Sequence, residues 1–140
     1  MGKVPNSPLF YLSNWRKGYN MNKKILVVED NEQNLYLATF LLKQSGYEVI
    51  AAIDGLKAIE KTKAEKPDLI LMDMQLPEID GYEATSRIKS MAEIDHIPIV
   101  AVTSYAMAGD REKAMALGCA GYIEKPFDPE TFVYEIEKYL

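Results

Sequence analysis

The sequence predicts an α/β fold in which a doubly wound, five-stranded parallel sheet is covered by helices on both faces. Three observations predict it. Apolar runs of strand length recur along the chain, "ILVV" at 25–28, "LILM" at 69–72 and "IPIVAV" at 97–102. They are apolar at successive positions, as strands buried on both faces must be. Segments with helical spacing separate them, the alternation that parallel strands need for their crossovers.

Each element can be justified in order. "ILVV" opens the sheet, and Leu35, Ala38 and Leu42 then mark one face of a first helix. "YEVIAA" at 47–52 is a weaker second strand, followed by a helix through Ala58 and Thr62. "LILM" is the third strand, and Ala84, Ile88 and Met91 stripe the third helix. "IPIVAV" is the fourth. The segment 106–117 reads as a helix with the least decisive apolar stripe, so it is expected to be the most loosely held. "GYIE" at 121–124 is the fifth strand, and Phe132, Ile136, Tyr139 and Leu140 mark the last helix.

Composition narrows the function. The 140 residues carry a formal charge of −5 with scattered Lys and Arg, which disfavours binding to nucleic acid or anionic lipid. A single cysteine, Cys119, excludes an internal disulfide and fits a reducing, cytoplasmic setting. No apolar run is long enough to span a bilayer as a helix. Residues 1–20 contain Gly2, Pro5, Pro8 and Gly18, and lack both a sustained period and a secretory signal. They read as an upstream extension or cloning remnant, flexible unless Leu9, Phe10, Tyr11, Leu12 and Trp15 dock. Residues 21–140 form the domain.

A sheet of this kind binds ligands beyond the carboxyl ends of its strands. The first strand ends in Glu29 and Asp30, the third in Asp73, the fourth in Thr103 and Ser104, and the fifth in Glu124, Lys125 and Pro126. Taken singly, each has a modest role: Asp30 or Asn31 could cap a helix, Asp73 could open a turn, Thr103 could cap, and Lys125 could be a solvated charge. Capping requires neither Glu29 beside Asp30 nor a lysine at the same edge. Three clustered carboxylates repel unless a cation joins them. Mg²⁺ and Lys125 together bring the formal charge to zero, with Mn²⁺ able to substitute.

The ordered motifs "VVEDN", "LILMDMQLPEIDG", "VAVTSYA" and "GYIEKPF" resemble the CheY-like receiver domain of bacterial response regulators, with wording most similar to stand-alone DivK-type regulators and hybrid-kinase receivers. The resemblance implies strand order 2-1-3-4-5 and a cis peptide before Pro126. It implies Asp73 as phosphoryl acceptor and Glu29, Asp30 and the Gln75 carbonyl as metal-site partners. Lys125 then pairs with the phosphate, and Thr103 and Tyr122 form a switch pair. Gln75 and Tyr105 occupy positions that tune aspartyl-phosphate lifetime in similar domains. The implied partners are a sensor histidine kinase or histidine phosphotransfer protein, and a target docking on the fourth helix, fifth strand and fifth helix. A receiver used only for constitutive docking remains an alternative. A haloacid-dehalogenase-type phosphatase expects an aspartate where Gln75 stands, and an FMN module would meet repulsion from "EDNEQN". His96 reads as a loop residue, and Cys119 and the methionines as core filler.

Overall fold

The computed structural model describes residues 23–104 and 107–140, so the expectations for residues 1–20, Tyr105 and Ala106 lie outside the described residues. Five parallel strands, β1 (Lys24–Val28), β2 (Glu48–Ala52), β3 (Leu69–Asp73), β4 (Ile99–Thr103) and β5 (Gly121–Glu124), form one sheet in the order β2-β1-β3-β4-β5. Five helices alternate with them: α1 (Glu32–Gln44), α2 (Gly55–Glu65), α3 (Gly81–Lys89), α4 (Asp110–Ala116) and α5 (Phe132–Glu137).

Strand side chains alternate between the two faces, and the core divides accordingly. Leu26, Val28, Ile70, Met72, Ile99 and Ala101 pack with Ala58, Ala84, Ile88 and Ala114 from α2, α3 and α4. Ile25, Val27, Leu69, Leu71, Val100 and Val102 pack with Ala38, Leu42, Phe132 and Ile136 from α1 and α5. Both faces are therefore covered, which is why β1, β3 and β4 have no room for an alternating polar residue. The edge strands differ: Glu48 and Ala51 of β2 and Glu124 of β5 are exposed.

The strands keep a register that brings their carboxyl ends level, with Val28 opposite both Ala52 and Met72, Asp73 opposite Val102 and Thr103 opposite Glu124. Short polar side chains start the helices just beyond that edge. Asn31 caps α1 by accepting from the Asn34 amide at 2.9 Å, Asp54 caps α2 from Lys57 at 2.7 Å, and Asp80 caps α3 from Glu83 at 2.9 Å.

Several boundaries differ from the sequence pattern, among them that of α5, which ends at Glu137 and leaves Tyr139 and Leu140 packed on the core beyond it. β4 begins at Ile99, because Pro98 has no N–H to give a ladder, although Ile97 is still buried. Met91 lies past the end of α3 yet packs on the core from the following turn. α4 begins only at Asp110, behind Gly109, whose φ of 91° interrupts a helix, and it buries a single residue, Ala114. Met72 and Met74 are core, but Met107 and Met115 face solvent, so the methionines are not uniformly filler.

Candidate functional site

Glu29, Asp30 and Asp73 meet at the carboxyl edge of the sheet, each offering an oxygen within 4.8 Å of the others. Two are buried, Glu29 at 4% and Asp73 at 3% exposure, whereas Asp30 is open to solvent. Asp30 is not the cap of α1, because Asn31 takes that task and leaves the Asp30 carboxylate uncommitted to the helix. Glu29 accepts from the Asn31 amide at 3.1 Å, which turns its side chain back over the edge.

Lys125 completes the cluster. Its ammonium lies 2.5 Å from Glu29 Oε1 and 3.1 Å from Asp73 Oδ2, with only 8% of the side chain exposed. The peptide between Lys125 and Pro126 is cis, as the resemblance implied. Burial alone would lower the Lys125 pKa, but hydrogen bonding to Glu29 and the charges of Asp73 and Glu29 outweigh it and hold the ammonium charged. Glu29 moves the other way in charge. Burial, reinforced by the Asp73 charge and opposed by Lys125, lifts its carboxyl from 4.5 to about 7. The two shifts have different leading causes, burial for Glu29 and the two carboxylate partners for Lys125, and the three carboxylates against one ammonium leave a formal charge of −2 at this edge.

That donor set fits a hard divalent cation. All the ligating atoms are carboxylate oxygens with no imidazole or thiolate among them, the preference of Mg²⁺ and Mn²⁺ rather than of Zn²⁺ or Cu²⁺.

Asp73 does make a turn, since Oδ1 accepts from the Gln75 amide at 2.9 Å. The turn orients the carboxylate without consuming it, because Oδ2 remains toward Lys125. Thr103, fully buried at the end of β4, caps no helix. Its hydroxyl meets the carboxamide of Gln75, 2.8 Å from Nε2 and 3.0 Å from Oε1, and also hydrogen-bonds the Tyr122 phenol. Burial raises the Tyr122 pKa and outweighs that hydrogen bond. All seven residues singled out in the sequence, Glu29, Asp30, Asp73, Gln75, Thr103, Tyr122 and Lys125, thus lie at or beside one edge. His96 is exposed in the turn before β4, away from it.

Two features escaped the sequence reading. The Gln75 side chain, expected at a position that tunes phosphate lifetime, was not expected to reach Thr103, yet it links the end of β3 to β4. Gly81, given no role of its own in the motif "LILMDMQLPEIDG", lets α3 lie directly against the backbone behind Asp73: a Cβ there would stand 2.2 Å from the Asp73 carbonyl oxygen and 2.7 Å from Met74 Cα. The signal for Gly81 was its place just after the capping Asp80.

The profile of the response regulator receiver domain family matches residues 25–137. The polar-differentiation response regulator DivK of Brucella anthropi is 46% identical over 120 residues, covering 86% of this chain and 98% of that protein. Among solved structures, the receiver domain of the sensor histidine kinase PA1611 of Pseudomonas aeruginosa, with magnesium coordinated in its active-site cleft, is 35% identical with a TM-score of 0.77, covering 84% of this chain and 97% of that one. The chemotaxis protein CheY4 of Vibrio cholerae is 28% identical with a TM-score of 0.80, covering 86% and 99%.

Proposed function

Because this chain belongs to the response regulator receiver domain family of two-component signalling, we propose that the acidic edge of its sheet takes a phosphoryl group onto Asp73 and reports the change to a partner protein. The observation that carries this reading is the buried Lys125 ammonium bonded to both Asp73 and Glu29 inside a carboxylate cluster. A structural ion pair needs one acid. Three acids sharing one lysine make a site that is short of positive charge.

Asp73 attacks the phosphorus of a phosphohistidine on a sensor kinase or phosphotransfer protein, or of a small acyl phosphate. An O–P bond to Asp73 forms as the bond to the donor breaks, and the donor leaves with the electron pair. The chain's own part is positioning and charge. The Gln75 amide fixes one oxygen of Asp73, and Lys125 holds the other and balances the arriving phosphoryl oxygens. Asp30, Asp73, the Gln75 carbonyl and, through water, Glu29 would hold Mg²⁺ or Mn²⁺. When bound, that ion neutralises charge on the transferring group. The reaction is a single transfer onto the chain itself, so this is a signalling acceptor rather than a turnover enzyme.

Phosphorylation replaces about one negative charge on Asp73 by about two and adds acceptor oxygens. Thr103 moves toward them, Tyr122 takes up the space it leaves, and α4, with one buried residue, follows. The target then reads the surface of α4, β5 and α5, where Met115 of α4 and Tyr134 of α5 are exposed. Among the described residues no helix is long and apolar enough to cross a membrane.

The test is incubation with acetyl phosphate and Mg²⁺, with and without chelator, read by intact mass. One phosphoryl increment on the wild type, absent with chelator and absent in Asp73→Asn, is the expected result. Undiminished labelling of Asp73→Asn refutes the assignment, and an unlabelled wild type that still binds Mg²⁺ favours a constitutive docking receiver.

A further inference from the structure

The Gln75 carboxamide makes contacts that phosphoryl transfer onto Asp73 does not use. Its Oε1 accepts from the Ser104 backbone N–H at 3.1 Å and lies 3.0 Å from the Thr103 hydroxyl oxygen, which can donate to it and which also accepts from its Nε2 at 2.8 Å, so the carboxamide engages a hydroxyl and an N–H at one point. Two donors aimed at a single point, at the end of the strand beside Asp73, form a seat for an oxygen that carries charge. In the resting chain a neutral amide oxygen fills it. The same residue's main-chain N–H holds Asp73 Oδ1 at 2.9 Å, so Gln75 ties the acceptor and the seat together.

We propose that Gln75 is a positioning residue that clasps the seat, occupying the Thr103 hydroxyl and Ser104 amide until a phosphoryl oxygen on Asp73 displaces it. This rests on the reading of Asp73 as the phosphoryl acceptor. A phosphoryl oxygen carries charge, and hydrogen bonds to charged acceptors are roughly twice as strong as those to an amide oxygen, so the exchange runs toward the phosphorylated arrangement. The clasp subtracts from that gain. Gln75 therefore sets how much of the phosphoryl group's interaction is left to drive the switch, and it does so through its side chain, whereas its expected contribution to the cation is the backbone carbonyl.

Gln75→Leu removes the clasp at similar size, and Gln75→Glu keeps an acceptor at the seat while giving it charge. Two readouts separate the roles. In the resting, cation-free chain, amide hydrogen exchange at Ser104 is expected to speed up in Gln75→Leu, because its acceptor is gone. In the presence of Mg²⁺, the half-saturating concentration of beryllofluoride, a non-covalent phosphoryl mimic, followed by NMR on the full chain, is expected to fall about 10-fold, the net worth of roughly one hydrogen bond. In Gln75→Glu it is expected to rise. Unchanged Ser104 exchange in Gln75→Leu overturns the clasp, and so does faster exchange with unchanged or weaker mimic binding. Acetyl phosphate labelling of the wild type is run alongside. If it fails, the acceptor reading falls; if it succeeds while Gln75→Leu behaves as wild type, only the clasp falls.

Discussion

Replacing Glu29 by glutamine in the cation-free protein is expected to stabilise the fold at pH 8 and to change it little at pH 5. The side chain is 4% exposed, and its carboxyl is raised from 4.5 to about 7, with burial the largest cause. Below pH 4.5 the group is neutral in both the folded and the unfolded chain and costs nothing. As the pH climbs, the unfolded carboxyl ionises while the folded one keeps its proton, so the folded state binds more protons and its stability falls. The loss is complete once the pH passes the folded value near 7. At 1.36 kcal/mol per unit, the displacement amounts to about 3 kcal/mol, on the order of 10 °C in melting temperature for a domain of this size.

Glutamine keeps one acceptor oxygen, for Lys125 or for the Asn31 amide but not for both, which gives back about 1 kcal/mol of the gain, and it has nothing to ionise. Far-UV circular dichroism melts from pH 5 to pH 8, in chelator, should show the wild type falling relative to Glu29→Gln across that range. Saturating Mg²⁺ at pH 8 should then raise the wild type more than the variant, since a cation offsets the charge that only the wild type carries. A variant that melts at or below the wild type at pH 8 in chelator would refute the account of Glu29 as a carboxylate destabilised by burial and by Asp73.

Gly81→Ala is expected to destabilise the protein by roughly 1–3 kcal/mol in urea unfolding, because its Cβ collides with backbone rather than with a yielding side chain. Thr103→Ala should take up phosphate from acetyl phosphate nearly as wild type by intact mass, yet show weaker NMR shifts at Tyr122 and α4 on phosphorylation. Burial pushes the Cys119 thiol up to about 11, so iodoacetamide at pH 8 should modify the native protein slowly and the urea-unfolded protein fast, by mass spectrometry. Removal of residues 2–20 should leave phosphate incorporation intact, and its loss would assign that segment a part in the chemistry.

The central strands were legible because β1, β3 and β4 are buried on both faces, and only such strands read as unbroken apolar runs. β2 and β5 were weaker for the converse reason: each lies at an edge of the sheet and carries exposed residues such as Glu48 and Glu124. The acidic cluster and Lys125 were legible because strand ends in a parallel sheet converge, so residues separated by dozens of positions could be placed together by topology alone. What topology does not specify is rotamer. Nothing in "DMQLPEIDG" says whether the Gln75 carboxamide turns to solvent or crosses to Thr103, and only the register of β3 against β4 brings that contact within reach. The late start of α4 was hidden for a related reason: Gly109 is one of several small residues in its segment, and its positive φ is a property of the folded turn.

The site's charge deficit and the Gln75 contact bear on the same energetic question. Moving a switch from 1:99 to 99:1 takes about 5.5 kcal/mol of differential interaction. One hydrogen bond to a charged group supplies roughly 1.5–3 kcal/mol, so the Thr103 hydroxyl cannot carry the transition alone. The Ser104 amide and Lys125 are the further donors within the same edge, and each starts out engaged, Ser104 with Gln75 and Lys125 with Glu29 and Asp73. What phosphorylation gains is therefore the difference between a charged phosphoryl oxygen and the acceptor it displaces, at each donor in turn. At Ser104 the resting acceptor is a neutral amide oxygen, which leaves a margin for a charged one, whereas the resting acceptors of Lys125 are already carboxylates, so its differential is smaller. On this view Gln75 and Glu29 act as counterweights to Asp73: their substitution shifts the balance point of the switch, whereas substitution of Asp73 removes the input.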